Sequence, residues 1–234
     1  MDKDAVRVIG FDADDTLWVN YTIFQDVAAE FADLLSRHTS PEVARARLLE
    51  VEAGNLELYG YGIKGFLISM VEAAVDLTDG AVTGAEIGRI IEMGKGMISR
   101  PMELLGGVEE VLEALQADYK LMLITKGDLF DQESKVARSN LSGYFSHIEI
   151  LSEKDEAAYE KVLERHRIPR EAFLMIGNSL KSDVMPVVNI GAQAVHVPYH
   201  TTWEQERMVP PAESERPYVE LDRIEDVLPL LSAP

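Results

Sequence analysis

Three aspartates in four positions, Asp12, Asp14 and Asp15, follow directly on the apolar run 6–11. That run has the length and composition of a buried strand, so the acids begin where the strand should end. Carboxylates this close repel one another and are costly to desolvate together. A bound cation is the simplest compensation. Asp12 and Asp14 are two residues apart, and a turn right after the strand would bring both to one ligand. One carboxylate could then attack phosphorus while the other handles a proton. Acids at strand ends also act simply as turn and cap residues, so the segment takes its meaning from what else converges on it.

The elements that must position these acids can be read from hydrophobic periodicity. Further apolar runs of strand length occupy 120–125, 147–151, 173–177 and 192–198. From Gly106 onward they alternate with helical spacing, as in Val108, Val111, Leu112 and Leu115, and again in Tyr159, Val162 and Leu163. Alternating strand and helix predict an α/β fold, a Rossmann-like doubly wound parallel sheet with ligands at the carboxyl ends of its strands. One stretch breaks the alternation. Between the first strand and Gly106 lie four helical candidates, 22–38, 41–54, 61–77 and 83–99, and no clear strand. Ser40 with Pro41 is an N-cap followed by a first-turn proline, and Thr83 stands at capping-box spacing from Glu86. Residues 1–20 and 101–234 are therefore expected to form the α/β core, and 21–100 a small all-helical cap domain inserted after strand 1. The tail is expected to hold a short extended piece at 217–221 and a helix near 224–231.

Composition narrows the function. The 234 residues are 47% hydrophobic and 27% charged, ordinary values for a chain that buries a full core. With no cysteine, disulfides, thiolate zinc sites and cysteine nucleophiles are excluded. A net charge of -19 without a Lys/Arg cluster argues against nucleic-acid and anionic-membrane partners. No apolar run approaches the roughly 18–20 residues of a membrane span, and a cytoplasmic location is the default. On so acidic a protein an anionic substrate needs local compensation, which a divalent cation and a few lysines would supply.

Asp12-Ala13-Asp14-Asp15-Thr16 resembles the first motif, D-x-D-x-T, of the haloacid dehalogenase-like hydrolase superfamily. Its other motifs can be sought in order. Leu121–Gly127 closes a strand with Thr125, whose hydroxyl and backbone N–H could hold phosphate oxygens, and Lys126 follows it. Lys154 fits the third motif, a lysine; Ser152 and Asp155 have capping-box spacing, which would put Lys154 in the first turn of a helix. A cation there opposes the helix dipole, an oddity that makes sense if it neutralises a phosphate and a carboxylate. Gly177-Asn178, with Asp183 five residues on, resembles the acidic fourth motif with Asn178 in place of its first Asp. An amide oxygen can still ligate magnesium.

The resemblance implies a Mg2+-dependent phosphatase with a helical cap of the C1 type, acting on a small phosphorylated metabolite. By it, Asp12 is the nucleophile and Asp14 the general acid/base. Thr125, Lys126 and Lys154 bind the substrate phosphate, and Asp12, the Asp14 carbonyl, Asn178 and Asp183 surround the metal. A phosphomutase of the same fold keeps every one of these residues. A haloacid dehalogenase would lack the acid at Asp14. A catalytically idle binding module finds support only in Asn178. Among other polar residues, His196 and His200 lie where a strand runs into a loop, a poor arrangement for a metal pair, and Lys64 and Arg100 are cap and hinge cations that could reach a cleft.

Overall fold

The computed structural model describes residues 1–232. Six parallel strands form one sheet: β1 (Val8–Phe11), β2 (Lys120–Lys126), β3 (His147–Leu151), β4 (Phe173–Gly177), β5 (Gln193–His196) and β6 (Val219–Glu220). Their spatial order is β3-β2-β1-β4-β5-β6, which places the first strand at the centre and the reversal of winding beside it. Alternation along each central strand builds two apolar layers. Ile9, Phe11, Leu121, Leu123, Leu174 and Ile176 pack on one face, beneath α5 (Val108–Leu115), α6 (Leu129–Ser139) and α9 (Val227–Ser232). Val8, Met122, Ile124, Phe173 and Met175 pack on the other, beneath α7 (Glu156–His166) and α8 (Met185–Asn189). Strands buried on both faces read as continuous apolar runs, and so these were visible in the sequence.

Residues Asn20–Pro101 form a compact unit of their own, separate from Met1–Val19 with Met102–Pro234. The helical unit contains α1 (Tyr21–Leu34), α2 (Pro41–Tyr59), α3 (Ile63–Leu77) and α4 (Gly84–Ser99). Its core is built from Phe31, Leu35, Leu48, Phe66, Met70, Ile90 and Met93. Ser40 caps α2 through Val43 N–H, and Thr83 with Glu86 makes the full capping box of α4. α2 runs on past the expected end at Gly54, an exposed glycine in open space, and stops where Gly60 takes φ +69. Positive φ, not the mere presence of glycine, ends the helix. The chain leaves and re-enters the α/β unit side by side, with Val19 N–H bonded to Glu103 O at 2.9 Å. Of the expected core range, residues 233 and 234 lie outside the described residues. Among the described residues no helix is long and apolar enough to cross a membrane.

Candidate active site

Strand register brings the motifs together. Phe11 of β1 pairs with Leu123 of β2 on one side and Ile176 of β4 on the other. Asp12 therefore stands level with Ile124 and Gly177, and Thr125 lies one residue beyond, all at the carboxyl edge of the three central strands. Asp12 N–H completes the ladder to Ile176 O at 2.9 Å. The chain then turns tightly. Ala13 O accepts from Leu17 N–H at 2.8 Å, and Asp15 N–H donates to Trp18 O at 2.8 Å with Asp15 at φ +62. Aspartate is among the few non-glycine residues that tolerate this region.

Lys154 is the hub. Its buried ammonium lies 2.5 Å from Asp12 Oδ1 and 2.7 Å from Asp183 Oδ1. Burial works to lower the lysine pKa, but the two carboxylates outweigh it and hold the group well above its usual range. Burial foremost, then the charge of Asp183, pushes Asp12 up to about 7 against the pull of Lys154. One cation thus serves two buried acids and leaves an excess of negative charge. Lys154 is not in a helix: α7 begins at Glu156, and its N-cap is Asp155, which accepts from Ala158 N–H at 2.8 Å. The expected Ser152 cap is displaced because Asp155 takes that role three residues later.

The loop after β4 is a π-helical turn, Leu180–Val184, a form often found at functional sites. Ser179 N–H donates to Asp183 Oδ2 at 2.9 Å, fixing the acid from below. A Cβ on Gly177 would sit 2.4 Å from the Asp183 carboxyl carbon, so glycine is what allows this approach. Thr16 Oγ1 donates to Asp12 Oδ2 at 2.9 Å and accepts Asn178 N–H at 3.1 Å, with Asn178 Oδ1 3.3 Å away. Asn178 is braced from behind, since its carbonyl lies 3.1 Å from His196 Nε2 and His196 Nδ1 is 2.9 Å from Glu220. His196 thus serves the loop, through partners other than His200.

The Asp14 side chain is held elsewhere, by Trp18, Gln132 and Lys135. Lys126 points its ammonium at Glu206 Oε1 (2.5 Å), Ser182 Oγ (2.9 Å) and Glu153 (3.2 Å). Glu206 comes from the tail and also accepts from the hydroxyls of Ser179 and Ser182, each at 2.6 Å. Burial alone would raise its pKa, but Lys126 and these hydroxyls outweigh that and hold it below the usual carboxylate range. Sequence reasoning missed Trp18, Gln132, Lys135 and Glu206, and gave Thr16 no role. Arg100 lies 3.7 Å from Asp26 within the helical unit.

The donors fit a hard, oxygen-preferring cation. Asp12 and Asp183 could supply carboxylates, Asn178 an amide oxygen and Asp14 a main-chain carbonyl, donor types suited to Mg2+. Asp12, raised by burial and then by the charge of Asp183, is the group that a cation would relieve. Among the described residues no three His, Asp or Glu side chains cluster as a metal site.

Comparison with known proteins identifies the family. The profile described as "Hydrolase: haloacid dehalogenase-like hydrolase" matches residues 6–191. Glyceraldehyde 3-phosphate phosphatase of Pyrococcus abyssi (strain GE5 / Orsay) is 24% identical over 83% of this chain and 82% of its own. Pyrimidine 5'-nucleotidase YjjG of Escherichia coli (strain K12) is 25% identical over 86% and 90%. The crystal structure of a haloacid dehalogenase-like family hydrolase from Xanthomonas campestris superposes with a TM-score of 0.84 at 38% identity, covering 97% of this chain and 96% of that one. The magnesium-bound putative hydrolase YfnB of Bacillus subtilis shares the fold, with a TM-score of 0.64 at 17% identity over 97% and 99%. On the strength of the matched profile and these relatives, the chain belongs to the haloacid dehalogenase-like hydrolases.

Proposed function

We propose that this hydrolase is a Mg2+-dependent phosphatase that cleaves small phosphate monoesters through an aspartyl phosphate on Asp12. The observation that carries the reading is Lys154 shared between Asp12 and Asp183 at the carboxyl edge of the central strands. An ammonium there offsets part of the negative charge around the nucleophile, as the approach of a dianionic phosphoryl group requires. The curated relatives named for phosphatase and nucleotidase activities support a phosphate ester as substrate. Asp14, which a dehalogenase would lack, favours phosphorus over carbon as the electrophile.

Asp12 attacks phosphorus in line, and the bond to the leaving oxygen breaks as Asp14 gives that oxygen a proton. Asp14 then takes a proton from water, which attacks the acyl phosphate and frees inorganic phosphate and Asp12. Lys154 and Thr125 hold phosphoryl oxygens in both steps. Lys126 joins them once its contact with Glu206 loosens. Asp12, Asp183, Asn178 and the Asp14 carbonyl would hold Mg2+, whose chemistry is to screen the meeting of two anions and favour ionised Asp12. The 21–100 unit serves as the cap that selects the leaving group and excludes water. Phosphate release from p-nitrophenyl phosphate, assayed with Mg2+ and with EDTA, tests this. Turnover should require Mg2+ and vanish in Asp12→Asn, and turnover retained by Asp12→Asn would remove the nucleophile assignment.

A further inference from the structure

We propose that Glu206 is an internal competitor for Lys126: its carboxylate holds the ammonium that a substrate phosphoryl group must win, and so sets the affinity of the site for phosphate. The proposal rests on the phosphatase reading above and names the event that frees Lys126 for substrate. An ammonium has three N–H donors. At Lys126 they meet Glu206 Oε1 at 2.5 Å, Ser182 Oγ at 2.9 Å and Glu153 Oε1 at 3.2 Å. Every donor is engaged, so a phosphoryl oxygen can be held only where one of these acceptors withdraws. Ser182 belongs to the π-helical turn beside Asp183 and cannot leave without it. Glu153 Oε1 also accepts the main-chain N–H of Lys154 at 3.0 Å, which anchors it to its own loop. Glu206 arrives instead on the tail, from 80 residues away.

The tail segment is built to let go. None of residues 198–217 is buried, and none belongs to either apolar core of the α/β unit; the chain leaves that core after Val197 and rejoins it at Tyr218. Residues Glu204–Glu206 form a single 3-10 turn, fastened by polar contacts. Lys181 Nζ gives to Gln205 O at 2.7 Å, and Glu206 Oε2 accepts the hydroxyls of Ser179 and Ser182 at 2.6 Å each. Such contacts exchange with water and with other anions at modest net cost, whereas an apolar anchor would lose its burial outright. The Lys126 and Glu206 side chains keep 14% and 12% of their surface exposed, so the pair can be reached from solvent. A phosphate monoester brings three oxygens and close to two charges, which outbids a single carboxylate and repels it. The competing reading makes Glu206 a fixed brace for the turn. That turn has other fastenings: Ser179 Oγ accepts Ser182 N–H at 3.0 Å, and Ser182 O accepts the buried Tyr159 hydroxyl at 3.0 Å.

The test measures KM for p-nitrophenyl phosphate and the inhibition constant of inorganic phosphate, both with Mg2+, in the wild type, Glu206→Gln, Lys126→Met and the double variant. In Glu206→Gln both constants should fall about 10-fold, as expected when a site open roughly a tenth of the time becomes open throughout. In Lys126→Met both should rise, and adding Glu206→Gln should then bring no fall, because the contested donor is gone. Glu206→Asp keeps the charge but shortens the reach by one carbon. It should move both constants the same way by a smaller factor, and it covers for the amide if that variant folds poorly. Constants unchanged or raised in these Glu206 variants, as a brace would give, would overturn the proposal and leave the phosphatase reading standing. So would a fall that persists without Lys126. No hydrolysis of the ester by the wild-type enzyme would overturn the phosphatase reading and this proposal with it.

Discussion

Replacing Lys154 by Met removes the one cation held between Asp12 and Asp183 and keeps a stem of similar shape. In the wild type its ammonium lies 2.5 and 2.7 Å from the two carboxylates, and all three side chains are almost fully buried. Breaking such a pair leaves an uncompensated buried charge, at about 3–5 kcal/mol. The cost must depend on pH, because Asp12 can neutralise itself. Its folded pKa, raised to about 7 by burial and Asp183, is above that of the unfolded chain, so the folded state holds a proton the unfolded state gives up. Without Lys154 that pKa rises further. At pH 6 both proteins carry protonated Asp12, and the loss is the Lys154–Asp183 pair alone, about 3 kcal/mol. Above pH 7 the wild type ionises Asp12 while the variant does not, and the loss grows by about 1.4 kcal/mol per pH unit. Urea unfolding in EDTA measures this. Both tryptophans, Trp18 and Trp203, lie in the α/β unit, so their fluorescence reports that unit alone. A loss that is absent, or equal at pH 6 and pH 9, would refute the idea of one ammonium serving two acids.

Three further outcomes follow from the same geometry. In EDTA, wild-type stability should fall as pH rises from about 4 to about 7, by no more than about 4 kcal/mol, and Asp12→Asn should flatten this slope in the same unfolding assay. Gly177→Ala must push Asp183 aside, since its Cβ would lie 2.4 Å from the carboxyl carbon; kcat on p-nitrophenyl phosphate should fall at least about 10-fold while circular dichroism stays native. Glu206→Gln removes the buried charge that holds Lys126, Ser179 and Ser182, and should lower stability by about 2 kcal/mol, read by urea midpoint.

The sheet was legible because its central strands are buried on both faces and carry uninterrupted apolar runs. The helical insertion was legible through caps at Ser40 and Thr83, whose side chains do bond the backbone as their spacing implied. Four motif segments could be placed at strand ends because Asp12, Thr125, Lys154 and Asn178 each come shortly after or at the close of an apolar run. α6 escaped notice for a physical reason: its inward face carries Asp131, Gln132, Lys135 and Ser139 beside a single buried valine, so apolar periodicity never develops. Two of those inward polar groups, Gln132 and Lys135, hold the Asp14 side chain. Glu206 was equally invisible, since nothing local distinguishes it from the tail's other acids. Its role exists only through the fold, which brings residue 206 against residues 126, 179 and 182.

The most direct measurement is acid quenching of the enzyme during turnover of a phosphate monoester with Mg2+, followed by mass analysis of its peptides. The peptide containing Asp12 should carry the added mass of one phosphoryl group, lost in Asp12→Asn and on treatment with hydroxylamine. Steady phosphate release with that peptide unmodified throughout would contradict a covalent step on Asp12.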